Sequence, residues 1–257
     1  MDINELQPDQ APTFGYSEPA AEVDLDAFEQ VVRSRRSIRI FQEEPIPEAT
    51  MQRCLDMALL APNSSNLQTW EFYWVRTPEL RSQLNEACLS QPAARTAAEV
   101  VVLVARPDRW KENRKRMLEH LGSRDQVPHA YWDYYAKLVP LAYTQGFCNW
   151  IGWCKRVAIS VLGWFKPTPR EPVSQHHMAV WSVKSTALAA QNLMLAFRAS
   201  GFDSCPLEGF DSRRIKKLLG LPRRAIVVMA IAAGRRDPKR VYGPQTRFDR
   251  ELFVHEV

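Results

Sequence analysis

A chain of 257 residues, 46% of them hydrophobic, can bury a full core as one large domain or two small ones. A net charge of only +5 suits a phosphorylated small molecule or an acidic surface better than nucleic acid, so no nucleic-acid partner is expected. Five scattered cysteines (Cys54, Cys88, Cys148, Cys154, Cys205) exclude a disulfide framework and fit reduced thiols in a cytoplasmic protein.

Residues 1–23 are polar and punctuated by proline, with neither the basic start nor the apolar centre of a signal peptide. They read as a flexible or wrapping arm ahead of one domain over 24–257. Asp24 can cap a first helix running to about Ser34, with Leu25, Phe28, Val31 and Val32 on one face. That helix delivers Arg35-Arg36-Ser37-Ile38-Arg39. Three guanidiniums and a hydroxyl in five residues suit a bound anion, although alone they better describe a solvated basic helix end. Pro47 is placed for the first turn of a second helix, whose Met51, Cys54, Leu55, Ala58 and Leu59 share a buried face. Pro62 ends it.

The loop from Ala61 to Trp70 (including Pro62, Asn63, Ser64, Ser65, Asn66 and Gln68) is dense in amides and hydroxyls. Such groups can read a ring of alternating C=O and N–H groups, or they can bond their own backbone as a helix stop. Glu71–Val75 and Glu99–Val104 read as strands, the second a continuous apolar run fit for a sheet centre. A long apolar helix spans roughly Val180 to Ser200, with Gly201 to terminate it. Asp211 can cap a short basic helix closed by Gly220, and Ala225–Ala233 is another buried strand. Neither a Rossmann fingerprint nor a P-loop occurs. Cys148 and Cys154 with His176-His177 match no usual zinc spacing, so no metal is expected.

Arg35-Arg36-Ser37-Ile38-Arg39-x-Phe41, Pro45-Ile46-Pro47 and the Ala61–Trp70 loop, at this spacing, resemble the nitroreductase-like family of FMN-dependent oxidoreductases. The likeness is to the bacterial oxygen-insensitive nitroreductases and dihydropteridine reductase-like members. It covers residues 24–105 and 178–257 and fades over a divergent helical, aromatic insertion at about 107–177. Relatives usually carry serine at Asn63, proline at Thr69 and lysine at Gln245. The resemblance implies an α+β fold, with a central mostly antiparallel sheet flanked by helices, in an intertwined homodimer. It assigns Arg35, Arg36, Ser37 and Arg247 to the FMN phosphate and Arg39 to the N1–C2 end of the ring. Pro62, Asn63, Ser64 and Ser65 would also bind the cofactor, with Asn66, Gln68 and Gln91 reading the ring's polar edge. The turn Pro206-Leu207-Glu208-Gly209 would lay backbone N–H groups of Glu208 and Gly209 against N5.

The activity it implies is transfer of two electrons from NADH or NADPH, through FMN, to a small aromatic acceptor such as a nitroarene or quinone, in ping-pong turnover. No side chain is assigned as acid or base, because the flavin carries the chemistry. A flavin-binding protein without turnover, and a branch doing dehalogenation or ring dehydrogenation, are the alternatives.

Residues 140–170 hold too many large aromatics for an ordinary surface loop. Phe147, Trp150, Ile151 and Cys154 share one helical face. Three readings stand: a lid in which Phe147, Trp150 and Trp153 stack an aromatic substrate, dimer core, or a membrane-surface helix. The lid is preferred, since it would also exclude water.

Overall fold

The computed structural model describes residues 18–124 and 127–257. The arm expected over 1–23 lies outside them up to residue 17, and residues 18–23 are irregular and exposed. Four strands form one sheet: β1 (Trp70–Trp74), β2 (Glu99–Ala105), β3 (Asp203–Leu207) and β4 (Ile226–Gly234). Their order is β1-β2-β4-β3 and every pairing is antiparallel. Ten helices surround it among the described residues, beginning with α1 (Leu25–Ser34) and α2 (Glu48–Leu59). The expected α+β architecture is what the chain adopts.

Strand β2 explains why the sheet centre reads as an unbroken apolar run rather than an alternation. Val100, Val102 and Val104 pack towards α3 (Pro78–Ala87) and α10 (Ser212–Leu218) through Leu84, Ala87 and Ile215. Val101 and Leu103 face the other way, onto Met51 and Cys54 of α2 and Leu193 and Phe197 of α9 (Gln175–Ala199). Helices cover both faces, so both sets of side chains leave water.

Local signals set the helix ends. Asp24 accepts from Ala27 N at 3.0 Å, and Asp211 accepts from Arg213 N and Arg214 N at 2.9 and 3.1 Å. Pro47 is the residue before α2 rather than part of its first turn. Helix α9 starts at Gln175, ahead of the expected Val180, because the Ser174 hydroxyl caps it by accepting from His177 N at 3.1 Å. Gly201, at φ +86°, supplies the left-handed residue after α9.

Helix α4 (Pro92–Thr96) precedes β2, and between β2 and α9 the chain builds a helical region. This region comprises α5 (Trp110–Gly122), α6 (His129–Asp133), a π turn over Tyr134–Leu138, α7 (Val139–Tyr143) and α8 (Trp150–Leu162). It has its own apolar cluster, in which Trp110, Tyr135, Tyr143 and Trp181 close over Leu67. Among the described residues, no helix is long and apolar enough to cross a membrane.

Candidate functional site

The Arg35–Arg39 stretch is held at the outer edge of β3. A single parallel bridge pairs Ser37 with Ser204, Ile38 N donates to Ser204 O at 3.2 Å, and the Ile38 side chain is buried. One buried carboxylate fixes where α1 ends relative to this edge. Asp203 receives two bonds from Arg236, at 2.7 and 2.9 Å, and one from Arg198 at 3.1 Å. The same Arg236 donates to Ser34 O at 3.0 Å, immediately before Arg35.

The segment 241–247 folds back to form the opposite wall. Arg35, Arg36, Ser37 and Arg39 meet Tyr242, Gln245 and Arg247 around a cleft of about 340 Å³. Arg36 donates to Gly243 O, and the Arg39 guanidinium lies 5.4 Å from the Tyr242 ring centroid. With its amide oriented to satisfy both ends, Gln245 donates to Arg33 O at 3.2 Å and accepts from Arg247 at 3.3 Å. Gln245 thus bonds Arg247 without adding a charge of its own. Four guanidiniums thus face one cleft whose lining residues include no carboxylate. A doubly charged phosphate fits that donor set.

The Arg35–Arg39 wall of the cleft borders β3 through the Ser37–Ser204 bridge. Burial pushes the Cys205 thiol up, and the nearby Arg39 and Arg35 act in the opposite direction. Past Cys205 the chain reaches Pro206 and buried Leu207, then the exposed Glu208 and Gly209. Residues read as a turn up to Leu207 are in fact strand, and Pro206 is tolerated there because β3 pairs with a named strand on one side only. Gln91, expected against a ring edge, donates to Gly209 O at 2.6 Å and Cys88 O at 3.1 Å. Its amide hydrogens hold the turn.

The Ala61–Trp70 loop is a locked structure. Ser65, Asn66 and Gln68 all have φ between +46° and +56°, a region that L residues rarely occupy. The Ser65 hydroxyl bonds the phenols of Tyr134 and Tyr143 at 2.7 and 2.8 Å, Ser64 bonds Tyr143 at 3.1 Å, and Tyr135 donates to Ser65 O at 3.0 Å. Asn63 accepts from Gln68 N at 2.7 Å. Asn63, Ser64 and Ser65 therefore serve the loop's own geometry. Asn66 and Gln68 line a separate cavity of about 530 Å³ with Asn113 and Arg116.

Loop and arginine cleft stand at opposite edges of the sheet, the loop entering β1 and the cleft bordering β3. Three strand spacings separate those edges, on the order of 14 Å. One chain does not bring the two predicted halves of the site together. Of the expected lid residues, Phe147 borders a cleft of about 600 Å³ beside Trp110 and Tyr143. Trp150 and Trp153 stack on each other at 5.7 Å and face outward. Tyr242 escaped the sequence reading; its placement in Tyr242-Gly243-Pro244, a turn signal ahead of Arg247, was the clue available.

A helix-covered antiparallel sheet with a cationic cleft at its edge defines an α+β protein. Residues 32–235 match the Nitroreductase family, and the chain belongs to it. It is 28% identical over 207 residues to NADH dehydrogenase of Thermus thermophilus, covering 78% of this chain and 82% of that protein. It is 27% identical over 213 residues to protein DrgA of Synechocystis, covering 82% and 85%. The solved NADPH:FMN oxidoreductase from Vibrio harveyi, complexed with NAD+, shares the fold at TM-score 0.60 and 19% identity, over 90% of this chain and 76% of that one.

Proposed function

We propose that this protein is an FMN-dependent oxidoreductase that passes two electrons from NADH or NADPH to a small aromatic acceptor, a nitroarene or a quinone. Donor and acceptor would occupy the same place in turn. Family membership and the relatives' names support NAD(P)H-dependent oxidoreduction. The observation that carries the FMN assignment is the convergence of Arg35, Arg36, Ser37, Arg39 and Arg247 on one carboxylate-free cleft.

In this reading Arg35, Arg36, Ser37 and Arg247 hold the phosphate. Arg39, whose charge acts on the Cys205 thiol of β3, would lie towards the ring. A fixed cation there favours the form of the ring that carries added negative charge. Glu208 and Gly209 present backbone N–H groups from a turn that Gln91 holds. FMN, when bound, itself accepts and passes on the electron pair, so no side chain is assigned as acid or base.

The reading includes a homodimer in which residues 62–68 of one copy close the cleft of the other. Two observations support it. The loop and the cleft lie at opposite edges of one sheet. Helix α1 turns Leu25, Phe28 and Val32 outward and buries no residue within its own chain.

The test is the colour of the purified protein. It should be yellow, and NADH or NADPH should bleach it without oxygen. A colourless protein that cannot be reconstituted with FMN would overturn the assignment. Yellow protein that neither nucleotide bleaches would make it a flavin-binding protein without turnover.

A further inference from the structure

Helix α8 is amphipathic the wrong way round for a helix that packs on its own protein. Its inner side consists of Gly152, Lys155 and the half-buried Ile159. Gly152 is pressed against the chain, so that an added Cβ would lie 2.3 Å from Val173 O. Lys155 donates to Ala142 O at 2.8 Å and to Leu141 O at 3.2 Å, and Arg170 donates to Ile159 O at 3.0 Å. Its outer side carries Trp150, Trp153, Val157 and Val161 at helical intervals, and Trp164 and Phe165 extend that face beyond the last turn. Trp150, Trp153, Trp164 and Phe165 are between 58% and 85% exposed. Exposed apolar patches of this kind mark interaction surfaces.

The charge of the segment identifies what covers it. From Phe147 to Arg170 the sequence has four cations (Lys155, Arg156, Lys166, Arg170) and not one aspartate or glutamate. A second copy of the same face is a poor occupant. Two-fold pairing sets a patch against itself, so Arg156 and Lys166 would meet each other with no carboxylate among them. An anionic bilayer matches both properties. Tryptophan rings settle at the headgroup level, and arginine and lysine are drawn to acidic lipid. The chain has no helix able to span the bilayer among its described residues, so contact is with the surface only.

We propose that the outward face of α8, continued by Trp164 and Phe165, is a membrane-docking surface that inserts into the headgroup region of an anionic bilayer. Polar anchoring to residues 141–145 and 170–173 keeps the apolar face outward when the protein is free in water. This assignment does not rest on the proposed FMN chemistry.

The test is co-sedimentation of the full chain with vesicles of phosphatidylglycerol and phosphatidylcholine in equal parts, against vesicles of phosphatidylcholine alone. The anionic vesicles should bind at least about tenfold more strongly, and high salt should remove the difference. Trp153→Ser with Trp164→Ser should abolish binding to both. Arg156→Glu with Lys166→Glu should remove the preference for the anionic vesicles. Unchanged far-UV circular dichroism and melting temperature in both variants would show that the fold persists. Three results would overturn the proposal: no sedimentation with anionic vesicles, binding that survives both double substitutions, or a particle mass that halves in light scattering when Trp153 and Trp164 are replaced. The last would mean that a second copy covers the face.

Discussion

Arg39 and Tyr242, from opposite ends of the chain, meet with the guanidinium 5.4 Å from the phenol ring centroid. The contact joins the two walls of the arginine cleft, and it turns a long flexible cation into a positioned one. A cation–π pair of this kind contributes about 0.5–1 kcal/mol at an exposed site. Tyr242→Ala should therefore weaken FMN binding about two- to fivefold, whereas Tyr242→Phe, which keeps the ring, should leave it unchanged. Titration of apoprotein with FMN, followed by flavin fluorescence, measures both.

The guanidiniums assigned to phosphate and to ring should separate in their effects. Each charged hydrogen bond is worth on the order of 1.5–3 kcal/mol, so Arg35→Ala or Arg247→Ala should raise the FMN Kd by about 10- to 100-fold. Arg39→Ala should retain more FMN but slow reduction by NADPH, as read by stopped-flow bleaching. Equal behaviour of all three would contradict the division of roles. Gln245→Lys should tighten binding, most clearly at low salt, by adding a cation next to Arg247.

Asp203 is a stability prediction. It is buried and receives three bonds from Arg198 and Arg236, so removing it strands two partly buried cations. Asp203→Ala should lower unfolding free energy by about 3 kcal/mol, at the low end for buried pairs because both arginines keep some solvent contact. Because Arg236 also ties Ser34, the variant should lose FMN more readily than its melting temperature alone would explain.

The acid limb of stability should carry a mark from Asp108. Burial works against its charge, but hydrogen bonds and charge from Arg106, at 2.8 and 3.0 Å, outweigh this and hold the carboxyl below the usual range. A depressed carboxyl contributes stability above its unfolded pKa, about 3.9, and that contribution is lost as pH falls towards the folded value. Melting temperature should therefore drop below about pH 4 in the wild type, and Asp108→Asn should flatten that fall while lowering the neutral-pH plateau.

What the sequence disclosed was chiefly local. Asp24 and Asp211 cap helices through bonds to residues two or three positions away, so the signal and its effect lie in the same few residues. The central strands were legible because burial on both faces leaves an unbroken apolar run. Strand β3 was not, since Cys205-Pro206-Leu207 becomes a strand only by pairing with β4. The early start of α9 was hidden for a different reason. Its first turn is polar, and only the Ser174 cap marks it.

In the site, the Arg35–Arg39 cluster was visible as chemistry, but Arg247 joined it through family likeness alone. The phenols that lock Ser64 and Ser65 lie 69 to 79 residues away, beyond any local pattern. Nothing in the order of residues revealed that loop and cleft occupy opposite edges of the sheet, because strand order is a property of the assembled fold.

The claim on which the functional account turns is that the arginine cleft holds a phosphate. Parallel titrations of the apoprotein with FMN and with riboflavin, which differ only by that phosphate, test it directly. The account predicts that FMN binds at least about 100-fold more tightly than riboflavin, as expected if two or more charged hydrogen bonds reach the phosphate, and that Arg247→Ala narrows the gap. Equal affinity for the two flavins, unaltered by Arg247→Ala, would contradict it.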